Sequence, residues 1–221
     1  MADQPQQDTE PLFSQEAHIP AAHVVLEGHL IVPSADAPVV IFAHGSGSGR
    51  HSERNQQVAS VLRQAGLGTL LLDLLTPDEE GDRDNVFDIP MLAQRVTAAE
   101  AWVHQQPESM SSPTGFFGAS TGAGAALWAA AEPDARVGAV VSRGGRPDLA
   151  NPRLGMVEAP TLLIVGSNDD EVLELNRQAQ GELTCENQLE IVDGATHLFE
   201  EPGTLDRVAE LARDWFVRHL A

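Results

Sequence analysis

The chain is expected to fold as one α/β domain, a mostly parallel sheet with helices on both faces in three layers. Three observations predict this. Short apolar runs of β character alternate with helical stretches of about 10–15 residues along most of the chain. The central runs are continuously apolar rather than alternating, as strands covered on both faces require. No repeat, low-complexity tract or long linker divides the 221 residues, and that length suits one domain or at most two.

The elements follow in order. Residues 1–20, rich in Gln, Pro, Asp and Glu, read as an N-terminal arm that is poorly ordered, with the domain spanning 21–221. HVVLEGHLIVP (23–33) alternates as a half-buried strand, and PVVIFAHG (38–45) is a continuous one. SERNQQVASVLRQAG (52–66) is a helix with Val58, Val61 and Leu62 on one face and Gly66 as its stop. GTLLLDLL (68–75) is a buried strand, and the acidic residues 76–88 read as a loop. Pro90 opens a helix to about Gln106, with Leu92, Val96, Ala99, Trp102 and Val103 inward. The rhythm then repeats: strand 115–120, a small-residue helix 121–132, strands 136–142 and 159–166, a helix from Asp170, strand 188–194 and a C-terminal helix. Trp102, Trp128 and Trp215 fall on apolar helix faces and are assigned to the core.

Composition excludes several functions. With 33 acidic and 13 basic residues, a net charge of −20 repels nucleic acids and anionic membranes, so neither is expected as a partner. Every basic residue is an arginine; without lysine there is no Walker A loop and no Schiff-base mechanism. No apolar run reaches the roughly 18 residues that cross a bilayer. The polar start, MADQPQQDTEPL, has no signal-peptide pattern, and a single cysteine, Cys185, fits a reducing cytoplasm, the expected location. A homodimer is the default expectation for any soluble oligomer.

The chemistry concentrates at strand ends. Gly118-Ala119-Ser120-Thr121-Gly122 is a G-x-S-x-G between a strand and a helix. A nucleophile on so sharp a turn needs neighbours without side chains two positions away on either side. Ala43-His44-Gly45-Ser46-Gly47-Ser48-Gly49-Arg50 follows an apolar strand; its G-x-G-x-G spacing is not that of a dinucleotide loop, although Asp73 is a nominal ribose partner. In a hydrolase of this layout that loop supplies one oxyanion donor, placed at the Ser46 amide, and the residue after the nucleophile, Thr121, supplies the other. Only His197 and His219 lie downstream of Ser120. His219 sits in the terminal helix pattern and is assigned to the surface, whereas His197, in GATHLFEEPG beyond a strand, is placed as the base. Asp169, after strand PTLLIVG, is the carboxylate; Asp170 and Glu171 are alternatives better suited to the start of the following helix. The order Ser120, Asp169, His197 is that of α/β-hydrolases.

With VVIFAHGSGSGRHSERN, LLLDLLTP, FFGASTGAGAAL, VVSRGGRPDLA, LLIVGSNDDEVLELN and GATHLFEEPG in view, the chain resembles the dienelactone-hydrolase-like group of the α/β-hydrolase fold from about residue 23 to its end. The resemblance implies Ser120 as nucleophile, Asp169 as acid, His197 as base, and Ser46 and Thr121 as oxyanion donors, with no metal or organic cofactor. Dienelactone hydrolases proper carry cysteine at the elbow; Ser120 in its place shifts the expectation toward a serine esterase acting on small esters or lactones. A dienelactone-type lactonase, a phosphoester hydrolase or acyltransferase on the same triad, and a binding module without catalysis stay open. Arg50 and Arg143 are candidate holders of a substrate carboxylate, with structural ion pairing as the competing assignment for each. The His44/His51 pair lacks a cysteine or carboxylate to complete a metal site.

Overall fold

Five strands adjacent in the sheet are built mostly of apolar residues, and they form its middle. The computed structural model describes residues 11–220. Its strands are β1 (Phe13–Ala21), β2 (Val24–Val32), β3 (Val39–Ala43), β4 (Gly68–Leu72), β5 (Thr114–Ala119), β6 (Ala139–Arg143), β7 (Thr161–Gly166) and β8 (Asn187–Val192). They make one sheet in the order β1-β2-β4-β3-β5-β6-β7-β8. β2 is antiparallel to both of its neighbours, and β4, β3, β5, β6, β7 and β8 run parallel. Every residue of β3, β4, β5, β6 and β7 is buried, the pattern of strands covered on both faces.

The helices are α1 (Glu53–Gln64), α2 (Pro77–Glu80), α3 (Arg83–Val86), α4 (Ile89–Val103), α5 (Thr121–Ala130), α6 (Asp170–Glu182) and α7 (Thr204–Leu220). Because side chains alternate across a strand, successive residues feed two cores. Val39, Ile41, Leu70, Leu72, Phe116 and Val140 pack with α4 and α5. Val40, Phe42, Leu71, Phe117 and Val141 pack with Val58 and Leu62 of α1 and Val208, Ala212 and Phe216 of α7. The result is three layers, as the alternation of elements predicts. Trp215 is buried, and Trp102 and Trp128 are partly buried against the core.

Two expectations need correcting. Residues 13–20 of the expected arm belong to β1, paired along its length with β2 (Phe13 opposite Val32, Ala21 opposite Val24). Ala17, Ile19 and Ala21 turn inward while Ser14, Glu16, His18 and Pro20 face out. Two of the three buried side chains are alanines, so the period of two is carried by little apolar bulk, and Pro20 is tolerated because the strand lies at the sheet edge. Residues 1–10 of that arm lie outside the described residues. The acidic stretch 76–88 is no featureless loop either: it holds α2 and α3. Pro77 sits at the start of α2, and Glu79 returns to Thr76, whose N–H and hydroxyl both donate to its Oε2 at 2.9 and 3.0 Å. Asp82 caps α3 through the Asp84 N–H.

Candidate active site

Ser120 stands between β5 and α5 with φ 50° and ψ −121°, a conformation that costs a non-glycine residue about 1–3 kcal/mol. Its neighbours make the turn possible. A Cβ on Gly118 would lie 2.8 Å from the Ala123 nitrogen, and one on Gly122 would overlap the Ala43 and His44 carbonyl oxygens. The two glycines therefore let α5 press against β5 and β3. The Ser120 N–H donates to the Arg143 carbonyl (3.2 Å), and the Ser120 carbonyl accepts from Ala123 (3.1 Å) and Arg146 (3.1 Å). The strained residue is thus held from both β6 and α5.

Asp169 and His197 come from the ends of β7 and β8. Asp169 occupies the residue before α6 but caps nothing with its side chain; instead its Oδ2 lies 2.6 Å from His197 Nδ1. Nε2 of the same ring is 3.3 Å from Ser120 Oγ. The His197 loop is fixed on three sides. Thr196 donates to Glu201 through its N–H (3.1 Å) and hydroxyl (2.6 Å), Asn168 donates to Gly194 O (2.9 Å), and the Gly194 N–H donates to Ser167 Oγ (2.8 Å). Gly166 has no room for a Cβ, which would meet the Ala195 carbonyl. Asp170 and Glu171 lie in the first turn of α6. His219, expected at the surface, packs on the Trp215 ring at 4.4 Å between centroids, and its burial lowers its pKa. The ring of its neighbour four residues back gives it an apolar partner that spacing alone does not distinguish from solvent.

The loop after β3 closes the other side. A Cβ on Gly45 would lie 2.9 Å from Ser120 Cβ, so the loop passes directly over the elbow. The buried His44 bridges it to the end of β4: Nδ1–H donates to the Gly45 carbonyl (2.9 Å) and Nε2 accepts from the Leu74 N–H (2.8 Å). An Nε2 that accepts an amide carries no proton, so the ring is neutral. Burial pushes its pKa down, partly offset by the Gly45 carbonyl and by Asp73 and Glu80. The Ser46 N–H, expected to face a substrate oxygen directly, donates to Thr121 Oγ1 at 3.1 Å. The Thr121 N–H, first in α5, is one of the amides that a helix leaves without an intrahelical acceptor. A pocket of about 150 Å³ opens beside this pair, walled by Leu74, Leu75, Val86, Leu92 and Glu80.

The candidate arginines part company. Arg50 is paired: its N–H donates to Asp73 Oδ1 (2.6 Å) and its guanidinium meets Asp73 Oδ2. Its charge is neutralised by this carboxylate at the end of β4, which supports structural ion pairing over the substrate-holding role and gives Asp73 a structural role. Arg143, 7% exposed, has no carboxylate partner among the described residues. One guanidinium nitrogen reaches Asn55 Oδ1 at 3.4 Å, the group lies 5.9 Å over the Phe199 ring, and Nε makes no hydrogen bond. Burial and, secondarily, Arg54 lower its pKa to about 10. Among the described residues no group of three or more His, Cys, Asp or Glu side chains could hold a metal ion, and no helix is long and apolar enough to cross a membrane.

Reasoning from sequence missed the bridging role of His44 and the hydroxyl of Thr121. The signal for the first was a histidine closing an apolar strand immediately before glycine. No local signal marks the second, because Thr121 and Ser46 are brought together only by the fold.

No family model matches the chain. Over 210 residues, 95% of its length, it is 60% identical to two Mycobacterium tuberculosis proteins that bear the provisional name phosphoribosyl transferase, and it spans 47% of their length. It is 49% identical to a dienelactone hydrolase from Anabaena variabilis, whose crystal structure matches with a TM-score of 0.92 over 96% of this chain and 100% of that one. Two structures share the fold at much lower identity. Est1E from Butyrivibrio proteoclasticus is 15% identical, with a TM-score of 0.78 over 92% of this chain and 98% of that one. A Pyrococcus furiosus esterase is 17% identical, with a TM-score of 0.74 over 100% and 96%.

Proposed function

This chain belongs to the dienelactone hydrolase family and has its α/β-hydrolase fold, and we propose that it is a serine hydrolase cleaving small carboxylic esters or lactones through an acyl-enzyme on Ser120. The observation that carries the reading is the hydrogen-bonded series Ser120 Oγ, His197, Asp169, with spacings of 3.3 and 2.6 Å at a strained strand-to-helix turn. In acylation Ser120 Oγ bonds to the ester carbon as His197 Nε2 takes its proton, and the carbonyl electron pair moves onto oxygen. Asp169 orients the ring and stabilises its charged form. The oxyanion is met by the Thr121 N–H, a donor worth about 3–4 kcal/mol of barrier, beside the loop that carries Ser46. Collapse expels the alcohol with the proton from His197, and water repeats the sequence on the acyl-enzyme. No step calls for a cofactor.

The 150 Å³ pocket beside the oxyanion loop supports a small acyl or alcohol group. Arg143, buried without a counter-charge, is our candidate for a polar or anionic substituent of the substrate. The name of the mycobacterial relatives belongs to proteins of which this chain spans 47%, and the acyl-transfer reading concerns that part. The test is hydrolysis of p-nitrophenyl acetate, butyrate and octanoate. Activity should fall by a factor of about 10³ or more in Ser120→Ala, and a fluorophosphonate should label wild type at Ser120. Activity that survives Ser120→Ala would place the nucleophile elsewhere.

A further inference from the structure

The residue after the elbow offers more than a backbone amide. Thr121 is 4% exposed, borders the pocket, and its Oγ1 accepts the Ser46 N–H at 3.1 Å. That bond has two consequences. It spends the loop amide on a protein atom, so the Ser46 N–H does not point freely at an incoming oxygen. It also fills a lone pair of Oγ1 while leaving the hydroxyl proton without an acceptor among the described residues. An O–H that accepts from an amide is polarised by it and becomes a stronger donor. Oγ1 and N of Thr121 are three bonds apart on the residue directly after Ser120, at the edge of the pocket.

We infer that the Thr121 hydroxyl is a direct oxyanion donor, with the Ser46 amide acting behind it as the group that orients and polarises it. This rests on the acyl-transfer reading above. When Ser120 Oγ adds to the carbonyl carbon, the electron pair displaced onto oxygen meets two donors from one residue, the N–H and the O–H of Thr121. The hydroxyl proton stays on Thr121 throughout and is shared by hydrogen bonding only. When the carbonyl re-forms and the alcohol leaves with the proton from His197, the O–H is left as it began.

The experiment compares wild type with Thr121→Val, which keeps the shape and removes the hydroxyl, and with Thr121→Ser, which restores it. Substrates are p-nitrophenyl acetate and its thionoester, whose C=S is a poor hydrogen-bond acceptor. The valine variant should lose about 100-fold in kcat on the oxo ester, the low end for one oxyanion donor, with KM little changed. Its preference for oxo over thiono ester should shrink, and Thr121→Ser should regain most of both. Thr121→Ala gives the same contrast if the valine variant does not fold. Wild-type kcat in the valine variant overturns the inference. So does a faster variant, because the hydroxyl would then be a tenant that blocks the loop amide. If wild type neither hydrolyses the esters nor takes the fluorophosphonate label, the acyl-transfer reading fails and the inference with it.

Discussion

The two flanks of Ser120 are built by different physics. On the β4 side two arginines are answered by carboxylates. Arg50 is matched by Asp73, and Arg95, with a side chain 4% exposed, holds Glu79 through two nitrogens at 2.6 and 2.9 Å while also donating to the Leu74 carbonyl. Arg95 draws the Glu79 carboxyl down to about 2, and His44 on this side is kept neutral. On the β6 side Arg143 is buried, with an amide oxygen and a ring face but no carboxylate as partners among the described residues. Satisfied charges hold a wall in place; an unsatisfied one stores a capacity to bind. On the proposed reading the difference separates scaffold from recognition, for two arginines that both lie near the C-terminal end of a strand.

The largest effect expected from this contrast is on stability. Glu79→Gln leaves the Arg95 cation buried beside a neutral partner, which should cost about 3 kcal/mol. It should also raise KM, because Leu74, Leu75 and Glu80 share a wall with the pair. A urea midpoint reads the first and steady-state kinetics the second; an unchanged midpoint would mean that this flank is not held by charge. The mirror experiment is Arg143→Met. Removing an unmatched buried charge should leave stability within about 1 kcal/mol of wild type or raise it. KM for an ester bearing a carboxylate should rise about 10-fold or more relative to p-nitrophenyl acetate. A variant that unfolds, or that discriminates as wild type does, erases the distinction between the flanks.

The smallest effect concerns the proton on His44. Its folded pKa lies below the ordinary imidazole value near 6.5. The unfolded chain therefore binds a proton first as pH falls, so stability is full above about 6.5 and declines below it toward the folded value. As the pH falls from 7.5 to 5.5 wild type should lose stability that His44→Asn does not. Parallel curves for the two proteins would show that His44 does not titrate separately from the rest.

Much of this architecture is legible in the chain because its signals are local. VVIFA is apolar throughout, GTLLL and TLLIVG each add only a threonine and a glycine to an apolar run, and the elbow glycines announce a turn that admits no Cβ on either side. Ser120, Asp169 and His197 could be placed because each follows a strand end, and the structure brings them within hydrogen-bonding reach. What stayed hidden depends on partners distant in sequence. Asp73 answers Arg50 from 23 residues away, and Ser46 meets Thr121 across 75. β1 escaped notice because alanine carries its inward face, and α2 because a four-residue helix has too few turns to show a period.

The one thiol of the chain, Cys185, is half-buried near Thr161, and burial raises its pKa. At the elbow this protein has the oxygen of Ser120. A hydroxyl there has no sulfenic or sulfinic state to enter, and no glutathione adduct or mixed disulfide to form. Peroxide and disulfide reagents therefore find no sulfur at the end of β5, and Cys185 is mostly protonated at neutral pH. On the proposed acyl-transfer reading the chemistry at Ser120 is uncoupled from the redox poise of its surroundings, and that independence follows from one atom.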